Sequence, residues 1–416
     1  MGYILYSFRV THSHSLHSLA LLTVVRMATK YDLQLGLCCI NTQLRAQKPP
    51  VFASRGIILK TVEKDGLAEL KHRVLLNLQD VLTILDWNYA NNIHVYRMSS
   101  DMFPHMANPR LKAMLEATGK AETEPDSPFA YTFYFAKPLL KQIGDKARKL
   151  KQRLTFHPGQ YNVLGTPNEQ TLQNTISELL YHATVMDLMG LDQNSVMVIH
   201  GSGLYGNKGE TMDRWCKNYT ELPDPIKRRL VLENCEKCYS IADCLTISER
   251  TGVPVVFDTH HHECYMLLHP HTRIKPAEYY IPQILATWIR RGIKPKFHVS
   301  EQAPGARVGK HSDFIDVIPQ YLLDIPDKYH IPIDIMIEAK KKELAIDKLH
   351  KTYPRLFQKP LRKISVKRSG KTLTIFIDAD TYTIYSYNSK RFKLTSSSLD
   401  EFMSKLGCID IKYFGF

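Results

Sequence analysis

The sequence predicts an α/β chain folded as a (β/α)8 barrel, with a small basic β-rich appendage at its C-terminal end. Three observations carry that prediction. Short apolar runs alternate with helical periodicity eight times between residues 33 and 349. Six of those runs end in a histidine, aspartate or glutamate. After about residue 358 the texture changes to alternating β-formers. Repeated βα units favour a parallel sheet, and eight of them favour its closure into a barrel.

Leu33–Cys39 reads as the first strand, followed by a long helix with Leu67, Leu70, Val74, Leu78, Val81, Leu82 and Leu85 at three- and four-residue spacing. Ile93–Met98 is the second strand. Residues 101–137 carry several prolines and read as a long loop with one short helix. From Leu139 the alternation is regular, through Leu154-Thr155-Phe156-His157, Val196–His200, Leu230–Glu233, Val255–Asp258, Lys296-Phe297-His298 and Ile333–Glu338. Runs of this kind read as buried parallel strands whose last residues lie outside the sheet's carboxyl edge. A helix is expected to begin after Glu233-Asn234, and a lysine-rich helix over Ala339–Leu349 closes the series. An open doubly wound sheet is the competing form, but it prefers a glycine-rich phosphate loop after its first strand, and Gly36–Asn41 lacks one.

The expected domains are an N-terminal extension over 1–30, disordered, a barrel over 31–357 and the appendage over 358–416. Met27-Ala28-Thr29-Lys30 reads as an ordinary start, which would make residues 1–26 an upstream extension. The apolar run Leu19–Val25 is too short to span a bilayer, and no membrane association is expected. Residues 351–416 hold 13 Lys or Arg against 5 Asp or Glu. The whole chain carries 55 Lys or Arg against 41 Asp or Glu, a net +14 that favours a polyanionic partner. Eight scattered cysteines do not form a disulfide framework and suit a reducing compartment. Cys235-x-x-Cys238 has no second pair at zinc-finger spacing, so the two read as buried small residues.

Imidazole and carboxylate ligands suit the divalent metals used in hydrolysis. In a barrel all eight strand ends open on one face, so His157, His200, Glu233, Asp258, His298 and Glu338 would converge on one polynuclear site. Asp258-Thr259-His260-His261-His262 adds a histidine three residues past a carboxylate, and His311 follows His298. Such sites hold the attacking and leaving oxygens of a phosphoryl transfer. Lys296 shares a strand face with His298 and so points at the metals, either modified or salt-bridged to Asp258 or Glu338. Gln160 and Tyr161 sit on a tight turn after His157, where an amide and an aromatic could wedge into a base stack. Arg97, Ser99 and Ser100 leave strand two with groups suited to phosphate oxygens.

Taken together, Leu35-Gly36…Asn41, Arg97–Pro104, His157–Tyr161, Val198–His200, Leu232–Asn234, Phe257–His261, Lys296–Glu301, His311–Asp313 and Ile337–Lys340 resemble the UV damage endonuclease family, relatives of the endonuclease IV-like barrels. The resemblance covers roughly residues 33–345 in order. It implies a metal-dependent enzyme that nicks damaged double-stranded DNA on the 5′ side of UV photoproducts and some other lesions, leaving a 3′-hydroxyl and a 5′-phosphate. It implies metal ligands at His157, His200, Glu233, Asp258, His261, His298, His311 and Glu338 for up to three divalent ions, manganese being usual. Glu233, Glu338, Lys296 and His200 are the expected catalytic residues. Lys296 falls where the family has a lysine that can be carboxylated, and Gln160 and Tyr161 fall on its lesion-probing pair. Asn41 is expected among the DNA contacts with Arg97, Ser99 and Ser100. Two positions depart from the family. Leu37 stands where an aromatic is frequent, and Asn108 occupies the place of a histidine after strand two, leaving His105 as the substitute ligand.

The same barrel and ligand types serve metal-dependent sugar isomerases, and fold alone does not separate the two. An abasic-site endonuclease is the nearer alternative. The basic balance and the Gln160–Tyr161 turn favour DNA. The expected enzyme is monomeric, intracellular and DNA-associated.

Overall fold

The computed structural model describes residues 33–354 continuously, together with the strands Leu22–Val24, Leu361–Arg368, Lys371–Asp378 and Ile384–Ser386. By its internal contacts the chain divides into two units, one of Leu33–Pro354 and one of residues 1–32 with 355–416. In the second unit, Leu22–Val24, inside the stretch expected to be disordered, pairs antiparallel with Leu361–Arg368. That strand pairs with Lys371–Asp378, which in turn pairs with Ile384–Ser386. The histidines of the first 20 residues and the segment after Ser386 lie outside the described residues.

In the first unit the eight parallel strands are β1 (Leu33–Cys38), β2 (Val95–Arg97), β3 (Arg153–Thr155), β4 (Met197–His200), β5 (Leu230–Glu233), β6 (Val255–Asp258), β7 (Lys296–Val299) and β8 (Ile333–Ile337). They pair in the order β3-β2-β1-β8-β7-β6-β5-β4. A parallel bridge between Phe156 and Met197 then joins β3 to β4 and closes the cylinder. The predicted (β/α)8 barrel is thus the fold.

Register and alternation decide what fills the cylinder, because residues two apart share a face. Asp334, Met336 and Glu338 form one inward row, Arg153, Thr155 and His157 another, and Lys296 and His298 a third. At the floor, buried Asp334 accepts from Arg153 at 2.7 Å and pairs with Lys294 at 2.6 Å. One layer up, Lys296 Nζ donates to Thr155 Oγ1 at 3.2 Å. The top layer holds the histidines and glutamates. β1 makes room for these side chains with Gly36, where a Cβ would stand 2.9 Å from the Met336 methyl and 3.1 Å from Val95 Cβ.

The helix Leu67–Ala90 buries Leu70, Val74, Leu78, Val81 and Leu85, the face its periodicity predicts. The 101–137 insertion holds one α-helix, Pro109–Ala117, between two short 3-10 turns. Two helix starts differ from expectation. After β5 the chain makes a turn and the helix begins only at Ile241, where Ser240 and Asp243 form a reciprocal capping box. After β8 the helix runs Glu343–Thr352, because Lys340 and Lys341 spend their backbone N–H groups on Ser312 and Asp313 carbonyls.

Candidate metal centre at the barrel mouth

Glu233 ends β5 fully buried, and four imidazoles surround its carboxylate. His157 Nε2 lies 2.9 Å from Oε2 and His200 Nε2 lies 3.3 Å from it. His298 Nδ1 is 2.9 Å from Oε1, and His261 Nδ1 is 3.5 Å from the same oxygen. His298 Nδ1 also reaches Glu338 Oε1 at 3.3 Å. The ligand-type atoms gather into three overlapping groups, His157–Glu233–His298, His200–Glu233–His261 and Asp258–His298–Glu338, each with its atoms within 4.8 Å of one another. Six successive strands, β3 to β8, thus deliver side chains to one point, as convergent strand ends in a barrel require.

The run of three histidines is sorted by helical geometry. Asp258 caps the helix Thr259–Leu268, accepting the His261 N–H through Oδ1 at 2.8 Å. Its Oδ2 is buried without a hydrogen-bond partner among the described residues. His261 faces the mouth, while His262 packs on Phe257 and Tyr280, and His260 on Cys264 and His311. Asn234 braces this corner from the neighbouring strand. Its side chain accepts the Asp258 N–H at 2.8 Å and donates to the Asp258 carbonyl at 3.0 Å, and its own carbonyl meets His261 Nδ1 at 3.0 Å.

Burial and mutual charge pull these groups apart in acidity. Burial alone would raise the Glu233 carboxyl, but His298, His200 and His157 hold it well below the usual carboxylate range. Asp258 is pushed up to about 7 by burial, with Glu233 and Glu338 adding to the rise against the pull of His261. Burial would lower His261, yet Asp258 and Glu233 bring it up to about 9. His298 is driven down to about 4 by burial and is neutral at physiological pH. Its Nε2 is buried without a hydrogen-bond partner among the described residues. A bare imidazole nitrogen and a bare carboxylate oxygen in one buried cluster are costly unless a cation occupies the space between them. The donor set, imidazole with carboxylate, fits a divalent transition metal.

Several expected residues stand elsewhere. His105 is not placed as a ligand: Nε2 lies 2.7 Å from the Ile57 carbonyl and Nδ1 3.2 Å from the Asn108 side-chain nitrogen, so both ring nitrogens are engaged. Asn108 in turn caps the helix Pro109–Ala117. His311 lies at the lip, its ring 6.4 Å from that of His261 and outside the three groups. Arg97, expected at a phosphate, binds Glu338 at 2.5 Å. Lys296 has neither expected carboxylate partner, and burial, with Arg97 and Arg153 nearby, lowers it to about 7. Asn41 is buried and caps the turn Thr42–Arg45, Ser99 caps the next turn, and Ser100 donates to the His157 carbonyl. Gln160 and Tyr161 are exposed on their turn, Tyr161 by 82%.

The roles of two supporting residues had no signal in the sequence pattern. Asn234 follows a candidate ligand, but the partners it braces, Asp258 and His261, lie 24 and 27 residues on, beyond any local pattern. Glu343, 1% exposed, accepts the N–H groups of Thr42 at 2.8 Å and Gln43 at 2.9 Å, and so fixes the loop after β1.

The sequence model of the UV-endonuclease UvdE family matches residues 33–366, the barrel and most of the strand Leu361–Arg368 of the small sheet. The chain belongs to the UV-endonuclease UvdE family. A UV-damage endonuclease homologue of Acanthamoeba polyphaga mimivirus is 38% identical over 323 residues, covering 77% of this chain and 91% of that one. The UV-damage endonuclease of Schizosaccharomyces pombe is 35% identical over 331 residues, again 77% of this chain but 50% of the relative. The chain therefore spans about half the length of that fungal relative. Among solved structures, the crystal structure of SacUVDE matches with a TM-score of 0.63 at 28% identity, covering 78% of this chain and 99% of that one. The UvdE likeness thus extends over the whole barrel that carries the cluster. Among the described residues, no helix is long and apolar enough to cross a membrane.

Proposed function

We propose that this UvdE-family protein is a metal-dependent DNA repair endonuclease that hydrolyses the phosphodiester 5′ to UV photoproducts, leaving a 3′-hydroxyl and a 5′-phosphate. One observation supports this above the others: three ligand groups fused through Glu233 and His298 at a barrel mouth. His157, His200, Glu233, Asp258, His261, His298 and Glu338 would hold up to three divalent ions, manganese being the first choice, with His311 closing the lip. Bound there, the ions would supply Lewis acidity to the scissile phosphodiester and its leaving oxygen.

The chain's own residues set the rest. Glu233 is the shared carboxylate, and Arg97 fixes Glu338 through its guanidinium. Lys296, drawn down to about 7, has a substantial neutral fraction at physiological pH. A neutral amine can add carbon dioxide, losing a proton and becoming an anionic carbamate, which would remove the cation from a site built for cations. Exposed Tyr161 and Gln160 would enter the base stack at the lesion, where stacking offsets the cost of unstacking. We place catalysis in residues 31–357 and phosphate contact in the basic segment 358–416, in a monomer acting on intracellular DNA.

The test is a labelled duplex with a single pyrimidine dimer, incubated with purified protein and Mn²⁺ beside undamaged and abasic duplexes. The expected result is one nick on the 5′ side of the dimer. Cleavage of neither damaged duplex refutes the proposal, and cleavage of the abasic duplex alone replaces it with an abasic-site endonuclease.

A further inference from the structure

The turn after Glu233-Asn234 carries a pair of thiols that the metal centre does not use. Cys235 is 5% exposed and Cys238 is half-buried, open to small solutes. The Cys235 N–H donates to the Tyr239 carbonyl at 2.9 Å, closing the turn. The Cys235 sulfur accepts the N–H groups of Cys238 and Tyr239, both at 3.2 Å. A sulfur that close to Cys238 N comes within reach of the Cys238 sulfur by rotation of that side chain, the proximity from which a disulfide can close. A buried thiol beside an accessible one on a C-x-x-C turn is the arrangement of exchange-active pairs.

We propose that Cys235 and Cys238 form a reversible disulfide by exchange with a low-molecular-weight disulfide of the glutathione class. The Cys238 thiol is brought down to about 7, chiefly by its hydrogen bond with Cys235, so a large fraction is thiolate at neutral pH. That thiolate attacks one sulfur of the small disulfide, whose S–S bond breaks to release one thiolate. The Cys235 sulfur then attacks Cys238, releasing the second small thiol, which takes up the Cys235 proton. Two protein thiols are oxidised and one small disulfide is reduced to two thiols.

The bond has a consequence for the metal centre, an extension that rests on the metal reading above. Cys235 follows Asn234, which braces Asp258 and His261. Closing the disulfide covalently ties the turn that the Cys235 sulfur now holds through two backbone N–H groups, and the strain of that closure falls on Asn234, the adjacent residue in the chain. Loss of a partner that orients metal ligands costs about 10- to 100-fold in metal affinity.

Full-length protein is equilibrated with mixtures of reduced and oxidised glutathione, free thiols are alkylated, and the products are mapped by mass spectrometry. The expected result is loss of two alkylatable thiols, at Cys235 and Cys238, restored by reduced glutathione. Cys238→Ser and, separately, Cys238→Ala abolish it, while Cys216→Ser retains it. Continued alkylation of both residues in oxidised glutathione, or a Cys235–Cys244 cross-link instead, overturns the pair. Titration of the same samples with Mn²⁺ alone is expected to show at least about tenfold weaker binding after oxidation. Equal affinity overturns the coupling, whereas no binding by the reduced protein overturns the metal reading and leaves the disulfide assignment standing on its own mapping.

Discussion

Replacing Lys296 with methionine should stabilise the metal-free protein while abolishing cleavage. The Lys296 ammonium is fully buried, its hydrogen bond runs to Thr155 Oγ1, and no carboxylate forms an ion pair with it among the described residues. Burial, then Arg97 and Arg153, bring it from 10.5 to about 7. A shift of that size, at about 1.4 kcal/mol per pH unit, amounts to about 5 kcal/mol of folding free energy. Because the native state binds the proton less tightly than the unfolded chain, the penalty is complete below pH 7 and disappears as pH rises toward 10.5. Methionine keeps the length of the stem and removes the charge, but leaves Thr155 Oγ1 without its donor at a cost of about 1 kcal/mol. The net expectation is a gain of about 2–4 kcal/mol at pH 7, shrinking to near zero at pH 9.5. Urea unfolding with a chelator in carbon-dioxide-free buffer measures it at both pH values. A Lys296→Met protein less stable than the parent at pH 7, or a gain independent of pH, refutes the reasoning. Retained cleavage by the variant would remove Lys296 from the catalytic set.

Three further outcomes are expected. Glu233→Gln takes the shared carboxylate from the ligand groups and should lower cleavage of a dimer-containing duplex by about a thousandfold, the equivalent of several kcal/mol of metal assistance. DNA binding in a gel-shift assay should remain near the parent level, and cleavage within tenfold of the parent would contradict the assigned role. Tyr161→Ala should cost about 1–3 kcal/mol of stacking and lower the ratio of cleavage on damaged over undamaged duplex roughly tenfold or more, with an unchanged ratio excluding the wedge. His182 is completely buried, and burial lowers it to about 4. Its contribution is therefore present above pH 6.5 and lost as pH falls toward 4, by up to about 3 kcal/mol. His182→Phe, which suits its contacts with Phe156 and Tyr181, should remove most of that acid sensitivity. Parallel stability curves for the two proteins between pH 7.5 and 4.5 would show the inference to be mistaken.

The barrel and most of the candidate metal cluster were legible in the chain because the relevant codes are local. An apolar run of four or five residues specifies a buried parallel strand, and the residue at its end is delivered to the carboxyl edge whatever the neighbouring strands are. His157, His200, Glu233, Asp258, His298 and Glu338 needed only that rule and the closure of eight βα units. Alternation likewise turned Lys296 inward with His298. Helical phase chose His261 for the mouth among three adjacent histidines, a choice the chain itself left open apart from the family resemblance.

Partnership is a different kind of information. Arg97 carries the same sequence signal whether it meets a phosphate or Glu338, which is 241 residues away and brought beside it by the closed sheet. Lys296 found Thr155 rather than an acid because β3 and β7 face each other across the cylinder. Glu343 holds the loop after β1 across 301 residues, a distance at which no periodicity speaks. His105 was excluded by contacts with Ile57 and Asn108 that only the folded insertion creates. The sequence by itself determined the architecture, the ligand chemistry and the mouth at which it gathers, since those follow from strand period and strand order. Tertiary structure alone decided which charge meets which, because pairing across a barrel depends on the closure and register that bring distant segments face to face.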